Sequence, residues 1–187
     1  MSDQIRQECW EKATHCLATS YVFQQKAINY EKNLRINSMF GIIIPLAIGA
    51  IATTYGNNSN YLKTALFISS PFLVIQAILS GISLINKWDH NLSYSLESQT
   101  ANRILADKFK NLAKYPPSDE LELKQKFDIL TTEDNERTKQ DEKIKFSIRE
   151  NRKGLRYALM ILRINCTICN STPQNMEPTQ CTNCGKF

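Results

Sequence analysis

MFGIIIPLAIGAIATT, residues 39–54, decides the fold: it carries no charge and almost no polarity. The charge-free stretch around it runs from Ile36 to Leu62, and a second runs from Thr64 to Asn86 around TALFISSPFLVIQAILSGISLI (64–85). At ~1.5 Å of rise per residue, about twenty residues cross a hydrocarbon core of ~30 Å, and each stretch is that long. A buried hairpin of a soluble bundle would keep a polar face over five turns, which these lack. Tyr55-Gly-Asn-Asn-Ser-Asn-Tyr61 between them reads as a turn bracketed by interfacial tyrosines. The expected class is an all-α integral membrane protein built on a two-span transmembrane hairpin, with spans at 38–55 and 62–86.

The flanks orient the hairpin. Lys26, Lys32 and Arg35 precede the first span, Lys87, Arg103, Lys108 and Lys110 follow the second, and the connector offers only Lys63. The positive-inside rule then places both termini in the cytoplasm. The first thirty-five residues are polar and charged, unlike a cleavable signal peptide. A formal charge of +5 suits an anionic cytoplasmic leaflet better than a dedicated nucleic-acid binder.

Several span residues exceed the needs of a plain anchor. Pro45 and Pro71 each remove a backbone donor near mid-membrane, so a kink or break is expected there. Gln76, Ser80 and Ser83 share one face of the second span. Gly49-xxx-Thr53 and Ala77-xxx-Gly81 permit close helix approach. Two readings stay open: these residues hold the hairpin or an oligomer together, or the Gln76–Ser80–Ser83 face lines a pore. Apart from Lys63 at the very edge of the second, no Asp, Glu, Lys or Arg lies within either span, which disfavours a proton relay or ion-coupled transport.

Outside the spans, residues 1–37 read as an N-terminal cytoplasmic helix, with Ile5, Cys9, Ala13, Cys16 and Leu17 at spacings of three and four. Cys9 and Cys16 read as buried, reduced thiols. A helix over 88–115 carries Leu92, Leu96, Leu105, Phe109 and Leu112 and stops at Tyr115-Pro116-Pro117. It is expected to run antiparallel to the first helix. The region 118–164 is charged and helical, opened by Asp119, Glu120 and Glu122. Thr131-Thr-Glu-Asp134 reads as a capping box restarting a helix, and the alternating charges from Glu133 to Lys153 read as a solvated face.

Residues 165–187 hold Cys166-Thr-Ile-Cys169 and Cys181-Thr-Asn-Cys184-Gly185. Two CxxC pairs this close can surround one tetrahedral ion, and four sulfur ligands leave no position for a catalytic water. The expected cofactor is one structural Zn²⁺ per chain in a small zinc-ribbon-like tail. Gly185 is expected to supply a positive φ after the last ligand. His15 and His90 read as packing or interfacial residues. With no phosphate-binding glycine loop, GxSxG or HExxH, nothing supports an enzyme, and no catalytic residue is assigned.

The layout of long N-terminal helix, two-span hairpin, helix ending in Lys114-Tyr-Pro-Pro-Ser118 and charged helix resembles the SLATT group of bacterial two-transmembrane effectors. The spacing Cys166-x₂-Cys169-x₁₁-Cys181-x₂-Cys184, the approach RENRKGLRYALMILR (149–163) and Met176-Glu-Pro-Thr-Gln-Cys181 resemble the mobilome CxxCx(11)CxxC family. The resemblance implies an effector of the bacterial inner membrane, in a conflict system against phage and mobile elements. Such a protein would oligomerise when a sensor or regulatory partner detects infection, and would permeabilise or depolarise the bilayer. The competing expectation is a non-conducting membrane scaffold or sensor whose zinc tail binds a protein partner or nucleic acid, the latter disfavoured by the mild charge.

Overall fold

A computed structural model describes residues 2–56 and 59–187 and contains, among them, five α-helices and no strand. They are α1 (Ser2–Tyr55), α2 (Asn60–Ile85), α3 (Trp88–Lys114), α4 (Glu120–Asp141) and α5 (Ile148–Leu162). The turn expected over 55–61 falls partly on residues 57 and 58, outside the described residues. The chain divides into two compact units, Ala27–Ser93 and Met1–Lys26 with Tyr94–Phe187.

In the unit Ala27–Ser93, α1 turns Leu34, Asn37, Gly41, Ile44, Ile48 and Ile51 inward, while α2 answers with Leu62, Ala65, Ser69, Leu73, Gln76, Ser80 and Ser83. Both rows step by threes and fours, the spacing of one helix face meeting another. Ser80 Oγ donates to Asn37 Oδ1 at 3.2 Å, and Gln76 faces Gly41. As one chain advances from 37 to 41 the other retreats from 80 to 76, so the pair is antiparallel. The Tyr55 and Tyr61 rings close its end, centroids 4.9 Å apart. Ser59 caps α2, its hydroxyl accepting from the Leu62 N–H at 3.2 Å.

The outer faces of this pair are bare. Leu46, Phe67 and Ile85 are 72, 82 and 81% exposed, and both helices are long and apolar enough to cross a membrane. Pro45 and Pro71 lie inside helices that continue through them, so neither proline ends its helix as a break would.

The other unit is a packed helical core. Ile5, Cys9, Ala13, Cys16 and Leu17 of α1 are all buried, against Leu105, Ala106, Phe109, Leu112 and Ala113 of α3, Leu123 of α4 and Ala158 of α5. Arg6 Nε donates to Ala113 O at 3.2 Å, and Ser20 Oγ to Gln99 O at 2.8 Å. The register runs in opposite senses along the two helices, making α1 and α3 antiparallel here. Phe23 and Phe109 are fully buried, each stabilising the fold by about 2–3 kcal/mol relative to exposure.

Three local expectations need correcting. On α3, Leu96 is 49% exposed, and the buried face instead carries Ser95, Ser98 and Asn102. For Ser98 and Asn102 the reason is their partner: Asp141 of α4 accepts from Ser98 Oγ at 2.9 Å and Asn102 Nδ2 at 2.6 Å, whereas the buried Ser95 hydroxyl makes no hydrogen bond. The charged stretch of α4 is likewise no uniformly solvated face. Leu123, Phe127, Leu130, Asp134, Arg137 and Asp141 form one continuous seam, apolar in its first half and ionic in its second, with Asp134, Arg137 and Asp141 buried. Arg137 pairs with Asp141 at 3.0 Å and with Glu97 at 2.8 Å, and Lys12 Nζ of α1 reaches Asp134 at 2.6 Å.

The third correction concerns helix punctuation. Asp119 caps α4 as its position suggested, accepting from the Leu121 N–H at 3.2 Å. No helix restarts at 131–134, where α4 runs on and the buried Thr131 hydroxyl makes no hydrogen bond. The restart comes at Ser147. There Ser147 Oγ accepts from the Glu150 N–H at 3.2 Å and Glu150 Oε2 from the Ser147 N–H at 2.7 Å, a reciprocal capping box.

Candidate metal centre

Helix α5 delivers the tail. It ends on Arg163 in the left-handed region (φ 56°), with the Ile164 N–H bonded to Leu159 O at 3.0 Å. This backward bond turns the chain sharply after the last helical turn. Ile164 then packs with Leu155 and Leu159 against Cys166, Cys181 and Cys184, an apolar floor under the sulfurs.

Each CxxC closes as a tight turn. The Asn170 N–H bonds Cys166 O at 2.8 Å, and the Gly185 and Lys186 N–H groups bond Cys181 O at 3.0 and 2.8 Å. The positive φ after the first pair belongs to Asn170 (52°). Gly185 is absent from the positive-φ residues, so the expectation for it is corrected: its role is space. A Cβ there would collide with Thr179 Oγ1 and fall 2.9 Å from Thr179 O. That close approach lets the Thr179 N–H bond Gly185 O at 2.9 Å and brings the intervening loop down on the second turn.

The four sulfurs of Cys166, Cys169, Cys181 and Cys184 lie within 4.8 Å of one another. Cys166 and Cys181 Sγ are 3.9 Å apart, and Cys169 and Cys184 Sγ 3.8 Å. Four sulfurs placed tetrahedrally at ~2.3 Å from an ion have edges of about 3.8 Å. The spacing therefore fits a metal centre and is far too long for a disulfide, and all four are free cysteines.

Hydrogen bonding prepares the donors. Cys169 is lowered to about 6, first by the Ser171 hydroxyl 3.1 Å away and then by the Ser171 backbone. The backbone N–H groups of Cys184 and Asn183 lower Cys181. Burial, foremost, raises Cys184. Asn183 Nδ2 points at Cys166 Sγ from 3.7 Å. A metal ion entering here would displace the remaining thiol protons and hold two distant turns together.

A second group of metal-type donors, His15, Cys16 and Asp134, also lies within 4.8 Å. Its carboxylate is already neutralised by Lys12 and accepts from Cys16 Sγ at 3.2 Å. Burial and then Asp134 raise the Cys16 thiol far above its ordinary range, and burial and then Glu8 raise Cys9 to about 11. These are core thiols, whereas His15 is exposed rather than packed.

Gln76, Ser80 and Ser83 face α1 within the pair, with Ser83 buried. In the orientation that satisfies both partners, the Gln76 amide donates to Phe40 O at 3.1 Å and accepts from the Gly41 N–H at 3.1 Å. A Cβ at Gly41 would lie 2.6 Å from the end of the Gln76 amide, so this glycine makes room for it. Gly41 escaped the sequence reading, although its position one turn after Asn37 marked the seam. Over Gly49 and Gly81, by contrast, nothing lies within 4 Å of a built Cβ.

No curated protein and no solved structure matches the chain. The family described as mobilome CxxCx(11)CxxC protein matches residues 6–187, which contain the four cysteines and all but the first residues of α1, and the chain belongs to that family.

Proposed function

We propose that this protein is an effector of a bacterial anti-phage and mobile-element conflict system, resident in the inner membrane with both termini cytoplasmic. The observation that carries this reading is the bare apolar surface of Ala27–Ser93, where neither apolar window is buried. A lipid bilayer is the solvent that such a surface requires. On this reading the protein is SLATT-like: the packed helical unit and its metal tail receive a signal from a sensor or regulatory partner, and copies of the chain then associate and permeabilise or depolarise the membrane. The open space over Gly49 and Gly81 supports association, because small residues allow a neighbouring helix to approach closely. The metal is Zn²⁺, one per chain and structural, since four thiolates in a closed tetrahedron suit that ion and leave no reactive position.

The occupied polar seam favours attention to a second reading. With Gln76, Ser80 and Ser83 spent between α1 and α2, one copy offers no aqueous path. A non-conducting scaffold, whose tail and the basic residues Arg149, Arg152, Lys153 and Lys186 engage a protein or nucleic acid, accounts for the same geometry. A voltage-sensitive dye in bacteria carrying the chain and its native neighbours, read before and after phage challenge, separates the two. Depolarisation ahead of lysis, lost when Gln76, Ser80 and Ser83 are made apolar together, supports the effector. A polarised membrane with inserted protein supports the scaffold.

A further inference from the structure

Two arginines of the cytoplasmic-type helical unit are buried, and they are treated very differently. Arg137, 8% exposed, has two carboxylates, Asp141 and Glu97, within 3.0 Å. Arg156, 5% exposed on α5, has none within ion-pair distance among the described residues. Its guanidinium donates to Asn175 O at 2.8 Å, to Cys184 O at 3.3 Å and to Asn175 Oδ1 at 3.5 Å, all neutral oxygens. The nearby acid Glu177 takes the Asn175 amide instead, at 2.9 Å. A buried cation without an anion is costly, and proteins almost always supply one.

The missing anion follows from the cysteines. Four thiolates around a divalent ion carry a net charge of about −2, and Arg156 is bonded to the backbone of one of those four residues. We propose that Arg156 is the electrostatic partner of the loaded metal centre: a positioning residue that neutralises the tetrathiolate while clamping Cys184 and the Asn175 loop around it. This rests on the reading of the tail as a metal-holding Cys₄ site. The arrangement is reciprocal. The metal centre stabilises a buried guanidinium, and the guanidinium offsets the negative charge of the loaded centre. Hydrogen bonds to neutral carbonyls position the fork but do not supply the charge balance, so the inference separates from a purely structural clamp.

The test uses the full chain in detergent or nanodiscs, loaded with Zn²⁺, and reads the rate of metal release to a chromogenic chelator. Helical content by circular dichroism is checked for each variant. Arg156→Met is expected to release metal roughly 10- to 100-fold faster, the usual consequence of removing a group that supports metal ligands. Arg156→Lys, which keeps the charge and loses the fork, is expected to restore most of the retention. In a Cys181→His chain, whose loaded centre carries about one negative charge fewer, the same Arg156→Met change is expected to accelerate release by a smaller factor.

An unchanged release rate in Arg156→Met, or an equal acceleration in the Cys₄ and Cys₃His backgrounds, overturns the proposal. If Arg156→Met loses its helix content, Arg156→Lys decides alone: retained metal supports charge compensation and fast loss contradicts it. A wild-type chain that takes up no metal overturns the Cys₄ reading itself, and this proposal with it, and is recognised before any variant is compared.

Discussion

Lys12 of α1 and Asp134 of α4 meet at 2.6 Å, with the carboxylate side chain only 4% exposed. The pair joins the first helix to the ionic half of the α4 seam, and the Cys16 thiol adds a second donor to the same carboxylate. A core of this kind gains specificity of register from its charges, because a one-turn slip would leave several of them buried and unpaired.

Lys12→Met should therefore destabilise the helical unit by about 3 kcal/mol, the lower end of the cost of stranding a buried charge, since Cys16 still donates. Asp134→Asn, which keeps an acceptor for Cys16 and removes the charge, should cost less. Thermal melts of the full chain in detergent check the order of the two variants. Equal melting temperatures for wild type and Lys12→Met would show that the pair contributes nothing.

Glu150 makes a further point about charge. Burial pushes its carboxyl up, but hydrogen bonds from Lys26 and from the backbone and hydroxyl of Ser147 outweigh it, and the net shift is down from the ordinary 4.5. A lowered folded value means that the carboxylate stabilises the fold fully above its unfolded value, and that this contribution fades as pH falls through the folded one. Glu150→Gln should cost about 0.5–1 kcal/mol near neutrality, given partial exposure. Its difference from wild type should shrink as pH falls below the ordinary 4.5 and through the lowered folded value, as urea titrations at several pH values would show.

How much of this was legible in the residues differs by element. The α1 stripe of Ile5, Cys9, Ala13, Cys16 and Leu17 was readable because its buried positions are small or apolar. The α4 seam was not, because Asp134, Arg137 and Asp141 continue the spacing of Leu123, Phe127 and Leu130 in charged residues, and alternating charge reads as a solvated face. Spacing was the better guide there. The clustering of the four tail cysteines was readable from their spacing alone, whereas the role of Gly185 depends on where the Thr179 loop lands, which no local pattern encodes. Gln76, Ser80 and Ser83 were correctly placed on one face, but which surface meets that face depends on the partner helix.

Cysteine chemistry should sort the six thiols into two classes. Cys9 and Cys16 are fully buried and raised by their surroundings, so maleimide should leave them unmodified until the fold is lost. The tail cysteines should resist labelling in the metal-loaded chain and all four should label after chelation, a difference read by intact-mass spectrometry. Rapid labelling of Cys16 in the folded chain would contradict the core described here.

Gly185→Ala should weaken the tail without touching a ligand, because the added methyl collides with Thr179. Metal loss on dialysis against a mild chelator should be faster than in wild type. A compensating Thr179→Gly change should recover part of the retention by removing the colliding side chain. If Gly185→Ala binds metal as tightly as wild type, the loop does not press on the second turn as described.

The proposed effector function requires that both apolar helices cross the bilayer. The decisive measurement is membrane topology in bacteria: reporter fusions at the N-terminus, within residues 57–59 and at the C-terminus, combined with alkaline carbonate extraction. The expected result is a carbonate-resistant protein whose two termini report from the cytoplasm and whose connector reports from the periplasm. Extraction into the soluble fraction, or a connector that reports from the cytoplasm, would contradict the transmembrane hairpin and the effector reading built on it.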